Sequence, residues 1–183
     1  TKVPSGDAAY MLGVLTGDGC LTIKNRIIIS TADTEVLYRV QKASRELFGK
    51  EFPDRYFTMG IAEQDMIGAA AGLSVSGKIP YASTFAIFSE RAFELVRNIV
   101  ARNKLNVKIC GSHAGITTGE DGKSAQAIED IAIYRALPNM IVLQPSDAVE
   151  AEKMVFALAN YNGPSYMRVH RTAYPVIHDK SYK

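Results

Sequence analysis

Glu63 stands in Gly60-Ile61-Ala62-Glu63-Gln64-Asp65-Met66, just past a short apolar run and at the head of a stretch of small residues. Two chemistries are open to it. A carboxylate in the first turn of a helix is stabilised by the helix dipole, by about 0.3–1 kcal/mol. A carboxyl at the carboxyl edge of a parallel sheet lies instead where open α/β folds hold their ligands. Phe85 and Phe88 are three apart where a strand gives way to a helix, so both rings can face one crevice, either as core or as an apolar slot that grips a flat heterocycle by offset stacking. His113 and Asp121 flank a polar, glycine-rich stretch, and Arg168 and Arg171 follow the last apolar run. Each of these is also an ordinary surface charge in kind.

The elements that must position these residues show in the periodicity. Past residue 55, short apolar runs alternate with amphipathic stretches, the pattern of βαβ units and a parallel sheet with helices on both faces. Tyr56–Met59, Ile79–Ser83, Val107–Gly111, Met140–Gln144 and Ser165–Val169 read as strands, the last closing the sheet. Gln64–Ser76 reads as a helix ended by Gly77. From Phe85 to Asn103, apolar residues at Phe88, Ala92, Leu95, Val96, Ile99 and Val100 follow helical spacing. Ile128–Ala136 is a further short helix, and another runs through Asn160 with Ser146 or Asp147 as its N-cap. Ser112–Gln126 has no period, and loops of that size in compact domains are usually functional. Two readings of residues 1–50 compete, helix, strand, strand, helix (with Leu21–Ile23 and Arg26–Ser30 as a hairpin) or helix, loop, strand, helix.

With 183 residues, 47% hydrophobic and 22% charged, the chain has the usage of one ordinary globular domain. No apolar run reaches the roughly 20 residues of a membrane helix, and TKVPSGDAAY lacks the basic-then-apolar order of a secretory signal. A cytoplasmic setting is expected. Cys20 and Cys110 have no paired spacing and are expected as free thiols. The net charge is +2. Residues 1–50 hold 7 Lys/Arg against 5 Asp/Glu and residues 51–183 hold 14 against 14, which is far from the basic stripe of a nucleic-acid binder, so DNA is an improbable partner.

Five segments in order, FPDRYFTMGIAEQDM, IPYASTFAIFSERA, GSHAGITTGEDG, IEDIAIYRALPNMIVLQPSDAVEAE and GPSYMRVHR, carry a resemblance. From about Phe48 to Asp179 the chain resembles the pyrimidine-binding domain of transketolase, particularly the C-terminal subunit of the type split into two chains. The resemblance implies a domain at 51–183 with the thiamine diphosphate-binding α/β fold. It also implies transfer of a two-carbon ketol unit between phosphorylated sugars, in the cytoplasm, by a homo- or hetero-oligomer. The cofactors implied are thiamine diphosphate and magnesium, the metal held mainly by the diphosphate-binding domain of an N-terminal partner subunit. This chain then carries half an active site and none of its own metal ligands. Glu63 matches the catalytic glutamate that hydrogen-bonds the aminopyrimidine and favours its imino form. Ile61, Phe85 and Phe88 match cofactor-binding positions, Asp121 the acid that meets a sugar hydroxyl, and His113 and Arg171 the residues that bind sugar phosphate. Two positions depart from the pattern. Ala125 stands where the family often has histidine, and Arg91 where some relatives place a third aromatic.

Residues 1–50 admit a divergent opening helix and strand, with Asp33 as the aspartate near the strand end. LGVLTGDGCLTIKNRIIISTADTEVL is also similar to half of a LAGLIDADG homing endonuclease of the intein type, with Asp18 as its metal-binding carboxylate. The alternatives to the transketolase reading are therefore an inactive chimera or remnant with a DNA-binding N-terminus, or another thiamine diphosphate enzyme such as deoxyxylulose phosphate synthase. The chain is expected to stop where the family's third domain would start.

Overall fold

The computed structural model describes residues 20–23, 26–29 and 56–183, apart from 173, 180 and 183. The boundary expected near residue 50, the helices expected at either end of residues 1–50, and Asp18 and Asp33 lie outside the described residues. Seven strands form one sheet: β1 Cys20–Ile23, β2 Arg26–Ile29, β3 Tyr56–Thr58, β4 Pro80–Phe85, β5 Lys108–Ser112, β6 Ile141–Leu143 and β7 Ser165–Arg168. Their order is β3-β2-β1-β4-β5-β7-β6. The four strands β4, β5, β7 and β6 pair in parallel, and β2 and β3 run the same way. Only β1 is reversed among these strands, antiparallel to both β2 and β4.

The α/β fold expected from the alternating pattern is present, with two refinements. The hairpin reading of residues 21–30 describes β1 and β2, which enter the sheet between β3 and β4. The last strand does not close the sheet: β7 inserts between β5 and β6, and β6 forms the edge. Chain order does not dictate spatial order where crossovers are long enough to skip a position.

Five α segments accompany the strands: α1 Glu63–Val75, α2 Ala86–Ser89, α3 Phe93–Leu95, α4 Asp130–Arg135 and α5 Ala148–Asn160. The single helix predicted over Phe85–Asn103 is instead a path of changing winding. It runs through α2, a 3-10 turn at Glu90–Ala92, α3 and a π turn at Val96–Ala101, where Arg102 N–H donates to the Arg97 carbonyl at 3.1 Å. The apolar spacing still marks the inner face, since Ala92, Val96 and Val100 are buried, while Ile99 stays outside.

Alternation along the strands divides the core between two faces. Ala82, Ile109 and Tyr166 pack against Met66, Ile67 and Ala70 of α1, against Ala92, Val96 and Val100, and against Tyr134 of α4. Their neighbours Tyr81, Cys110 and Met167 pack on Leu158 of α5 with Met154 and Val155. Burial pushes the free Cys110 thiol up to about 12. Asp147 is the N-cap of α5, its Oδ1 accepting the Glu150 N–H at 2.9 Å, while its Oδ2 accepts the Ile177 and His178 N–H groups and ties down the tail. No helix among the described residues is long and apolar enough to cross a membrane.

Candidate active site

The parallel strands point their carboxyl ends to one side, where open α/β sheets bind ligands. Phe85 ends β4, Ser112 ends β5 and Arg168 ends β7. Gly60, at φ 71°, turns the chain out of β3 in the left-handed region that glycine enters freely. Ala62 N–H then donates to the Gly60 carbonyl at 3.0 Å, and Glu63 opens α1. Glu63 is 6% exposed, unlike a first-turn acid placed only to meet the helix dipole. Ile61, two residues earlier, is 59% exposed.

The rings of Phe85 and Phe88 stack 5.2 Å apart with 3° between their planes, and the His113 imidazole stacks on Phe85 at 3.9 Å and 10°. The helical path beyond continues this row. A 3-10 turn has three residues per turn, so side chains at i and i+3 eclipse, and Arg91 falls in line with Phe88. Its guanidinium carbon lies 4.9 Å from the Phe88 centroid, and its Nη1 is 3.6 Å from Glu63 Oε2. Gln64 Nε2 donates to the Arg91 carbonyl at 3.2 Å. An imidazole, two phenyl rings, a guanidinium and a carboxylate thus form a continuous row.

His113 has φ 51°, rare for a residue with a side chain. The Thr118 hydroxyl, donating to the His113 carbonyl, holds that turn. Burial lowers the imidazole to about 4, the Arg171 charge adds to this, and Asp121 opposes it, so the ring is neutral near pH 7. Arg171 reaches back across the loop: Nη1 donates to the Thr118 carbonyl at 2.6 Å, Nη2 pairs with Glu120, and Nη1 lies 3.8 Å from Asp121 Oδ2. The stretch predicted as an aperiodic binding loop, Ser112–Gln126, contains a short 3-10 segment, Ile116–Asp121, kinked at Gly119. Ala125, at the position of the family histidine, is buried.

The row from Glu63 to His113 and the Arg171–Asp121 pair contain every expected site residue except the exposed Ile61. Behind them lies a network of which the sequence reading names only Arg168, and Arg168 is buried there rather than standing as a surface charge. Asp130 is fully buried, and its Oδ2 accepts from the Tyr166 hydroxyl and from Arg168 Nε, both at 2.8 Å. Arg168 Nη1 donates to Gln144 Oε1 at 2.9 Å, and Gln144 Nε2 contacts His170 Nε2 at 2.9 Å. Tyr166 stacks on Tyr134 at 3.9 Å, and the Tyr134 hydroxyl donates to Ser89 Oγ at 2.8 Å. Glu90 is raised to about 7, by burial first and then by Glu129 and Asp130. The signal in the sequence is period two: Tyr166 and Arg168 are two apart on a strand and share a face. Among the described residues, no three His, Cys, Asp or Glu side chains are grouped to hold a metal ion.

A family described as the transketolase, pyrimidine binding domain matches residues 20–176. A putative transketolase C-terminal section from Methanocaldococcus jannaschii is 53% identical over 134 residues, 73% of this chain and 42% of that protein. Human transketolase is 39% identical over 158 residues, 86% of this chain and 24% of its own length. The chain thus spans less than half of the length of each of these relatives. Among solved structures, a split-gene transketolase described as an inactive beta4 tetramer superposes with a TM-score of 0.73 at 39% identity, covering 96% of this chain and 54% of that one. Transketolase from Campylobacter jejuni gives 0.61 at 31% identity, covering 68% of this chain and 21% of that one. The homing-endonuclease resemblance is not supported. The match begins at residue 20 and takes in β1 and β2, and those strands pair with β3 and β4 in the sheet of this domain.

Proposed function

The chain belongs to the family of transketolase pyrimidine-binding domains, and on that premise we propose that it is the pyrimidine-binding half of a thiamine diphosphate-dependent transketolase. It acts with an N-terminal, diphosphate-binding partner subunit on phosphorylated sugars. The observation that carries this reading is the buried Glu63 at one end of the parallel Phe85 and Phe88 rings. An aminopyrimidine asks for that pair of features: a flat apolar surface for its ring and a carboxyl group for a ring nitrogen.

When bound, thiamine diphosphate supplies the carbon nucleophile and the electron sink for breaking a carbon–carbon bond. The chain's own residues orient it and handle protons. Glu63 would hold the aminopyrimidine by a hydrogen bond between its carboxyl group and a ring nitrogen, in a buried setting that strengthens the bond. Phe85 and Phe88 fix the plane of the ring and exclude water. His113, neutral near pH 7, offers a donor or acceptor to substrate oxygens. Arg171 brings a planar cation suited to a phosphate, and the half-exposed Asp121 beside it accepts from a sugar hydroxyl. In this reading magnesium is held mainly by the diphosphate-binding domain of the partner subunit. The "C-terminal section" and "split gene" descriptions of the two relatives support a two-chain enzyme.

The test is titration calorimetry of thiamine diphosphate with magnesium, first into this chain and then into its mixture with a transketolase N-terminal subunit. Binding is expected only in the mixture, weakened at least tenfold by Phe85→Ala. Absence of binding in the mixture, or a Phe85→Ala variant that binds as the parent does, refutes the reading.

A further inference from the structure

Arg91 touches both features on which the proposed function rests. Its guanidinium lies on Phe88 at 4.9 Å and its Nη1 approaches Glu63 Oε2 to 3.6 Å. A guanidinium is a planar nitrogen–carbon–nitrogen group with a π face and in-plane N–H donors. An aminopyrimidine presents the same arrangement along one edge, so the two groups compete for the same ring and carboxylate.

The surroundings of Arg91 allow the exchange. Its side chain is 56% exposed, against 7% for Glu63, so water receives the guanidinium at little cost. Its backbone is held by Gln64 Nε2 through the carbonyl and by the 3-10 turn. The side chain can therefore leave while the rings and Glu63 stay in place.

We propose that Arg91 is a latch on the pyrimidine site: its guanidinium bridges the Phe88 ring and the Glu63 carboxylate and must be displaced by the incoming ring. The inference rests on the proposed function and adds what regulates entry to that site. An ion pair 3.6 Å long and open to water on its Arg91 side, and a surface cation–π contact, are each modest. Their joint loss on binding corresponds to roughly a three- to tenfold penalty in affinity. Part of that penalty is screened by salt.

The experiment is calorimetry of thiamine diphosphate with magnesium into the mixture with an N-terminal subunit, at low and at high salt. It compares the parent chain with Arg91→Leu, Arg91→Lys and Phe85→Ala. Arg91→Leu should bind three- to tenfold more tightly than the parent at low salt, with the ratio shrinking at high salt. Arg91→Lys, which keeps the charge and loses the plane, should fall between them. A salt-dependent ratio is a readout that a purely structural role for Arg91 does not move. If the parent binds and Arg91→Leu binds equally or more weakly, the latch is overturned and the functional reading stands. If no chain binds in the mixture, the functional reading fails and the latch fails with it.

Discussion

Gly111 offers a sharp test of how the buried network supports the site. It lies on β5 beside Arg168 of β7, and an added Cβ would stand 2.2 Å from the Tyr166 hydroxyl oxygen and 2.7 Å from two ring carbons. Ordinary contact begins near 3.4 Å, so the ring must shift by roughly 1 Å. It has nowhere to go: Tyr134 stacks against it at 3.9 Å, and its hydroxyl is spent on Asp130 at 2.8 Å. Asp130 Oδ1 already lacks a partner, so losing the Tyr166 bond leaves Arg168 to hold a buried carboxylate. Overpacking costs roughly 1–3 kcal/mol, and loss of a hydrogen bond to a charged group roughly 1.5–3 kcal/mol. Gly111→Ala should therefore destabilise the chain by roughly 3–5 kcal/mol and lower Tm by about 6–20 °C, at roughly 2–4 °C per kcal/mol for this size. Without the clash the sign would reverse, because alanine on a compatible strand position stabilises by about 0.4–1 kcal/mol through the unfolded chain. Urea unfolding followed by circular dichroism measures the difference. Tyr166→Phe removes the 2.2 Å contact, so the two substitutions together should cost at least about 1 kcal/mol less than their sum, beyond the roughly 0.3–0.5 kcal/mol scatter of independent sites. A stabilised Gly111→Ala chain, or a double variant that is additive, refutes this account.

Two further predictions concern pH. Glu90 has a folded value of about 7 against an ordinary 4.5, so the folded state binds its proton more tightly. The stability it contributes is complete below about pH 4.5 and is lost as pH rises through about 7, and Glu90→Gln should flatten the unfolding profile between those values. His113 has the opposite sign, with a folded value of about 4 against 6.5. Its contribution is complete above about pH 6.5 and is lost as pH falls toward 4, so His113→Phe should remove a loss of stability on acidification through that window. Variants that keep the parent's slope through these windows would refute the assignment of those slopes to Glu90 and His113.

The local parts of this architecture are legible in the sequence and the non-local ones are not. Glu63 after a turn glycine, and Phe85 and Phe88 three apart at a strand end, are patterns within a few residues. So is Asp147 at the head of α5. The reversed direction of β1 depends on pairing with β4, some sixty residues away, Leu21 with Ala82, and no local propensity reports it. The insertion of β7 between β5 and β6 is hidden for the same reason. Asp130, Tyr166 and Arg168 meet across 36 and 38 positions, so only the two-residue spacing of Tyr166 and Arg168 hints at a shared face. Arg91 stands out as a departure from an aromatic pattern, yet its approach to Glu63 depends on a 3-10 turn in what reads as an ordinary amphipathic helix.

That change of winding bears on which lengths of chain the domain tolerates. The 3-10 turn at Glu90–Ala92 is overwound and the π turn at Val96–Ala101 is underwound, so along one path they act as phase errors of opposite sign. A π turn is an α-helix carrying a surplus residue. Removing one residue there, such as the outward Ile99, returns the segment to regular winding and leaves everything before it in phase. Removing one residue between Phe88 and Arg91 rotates the rest of the helical path by roughly 100°, which takes the guanidinium off the ring and away from Glu63. Two deletions of equal size a few residues apart thus have opposite consequences: the helix absorbs length change at its far end and forbids it beside the aromatic row.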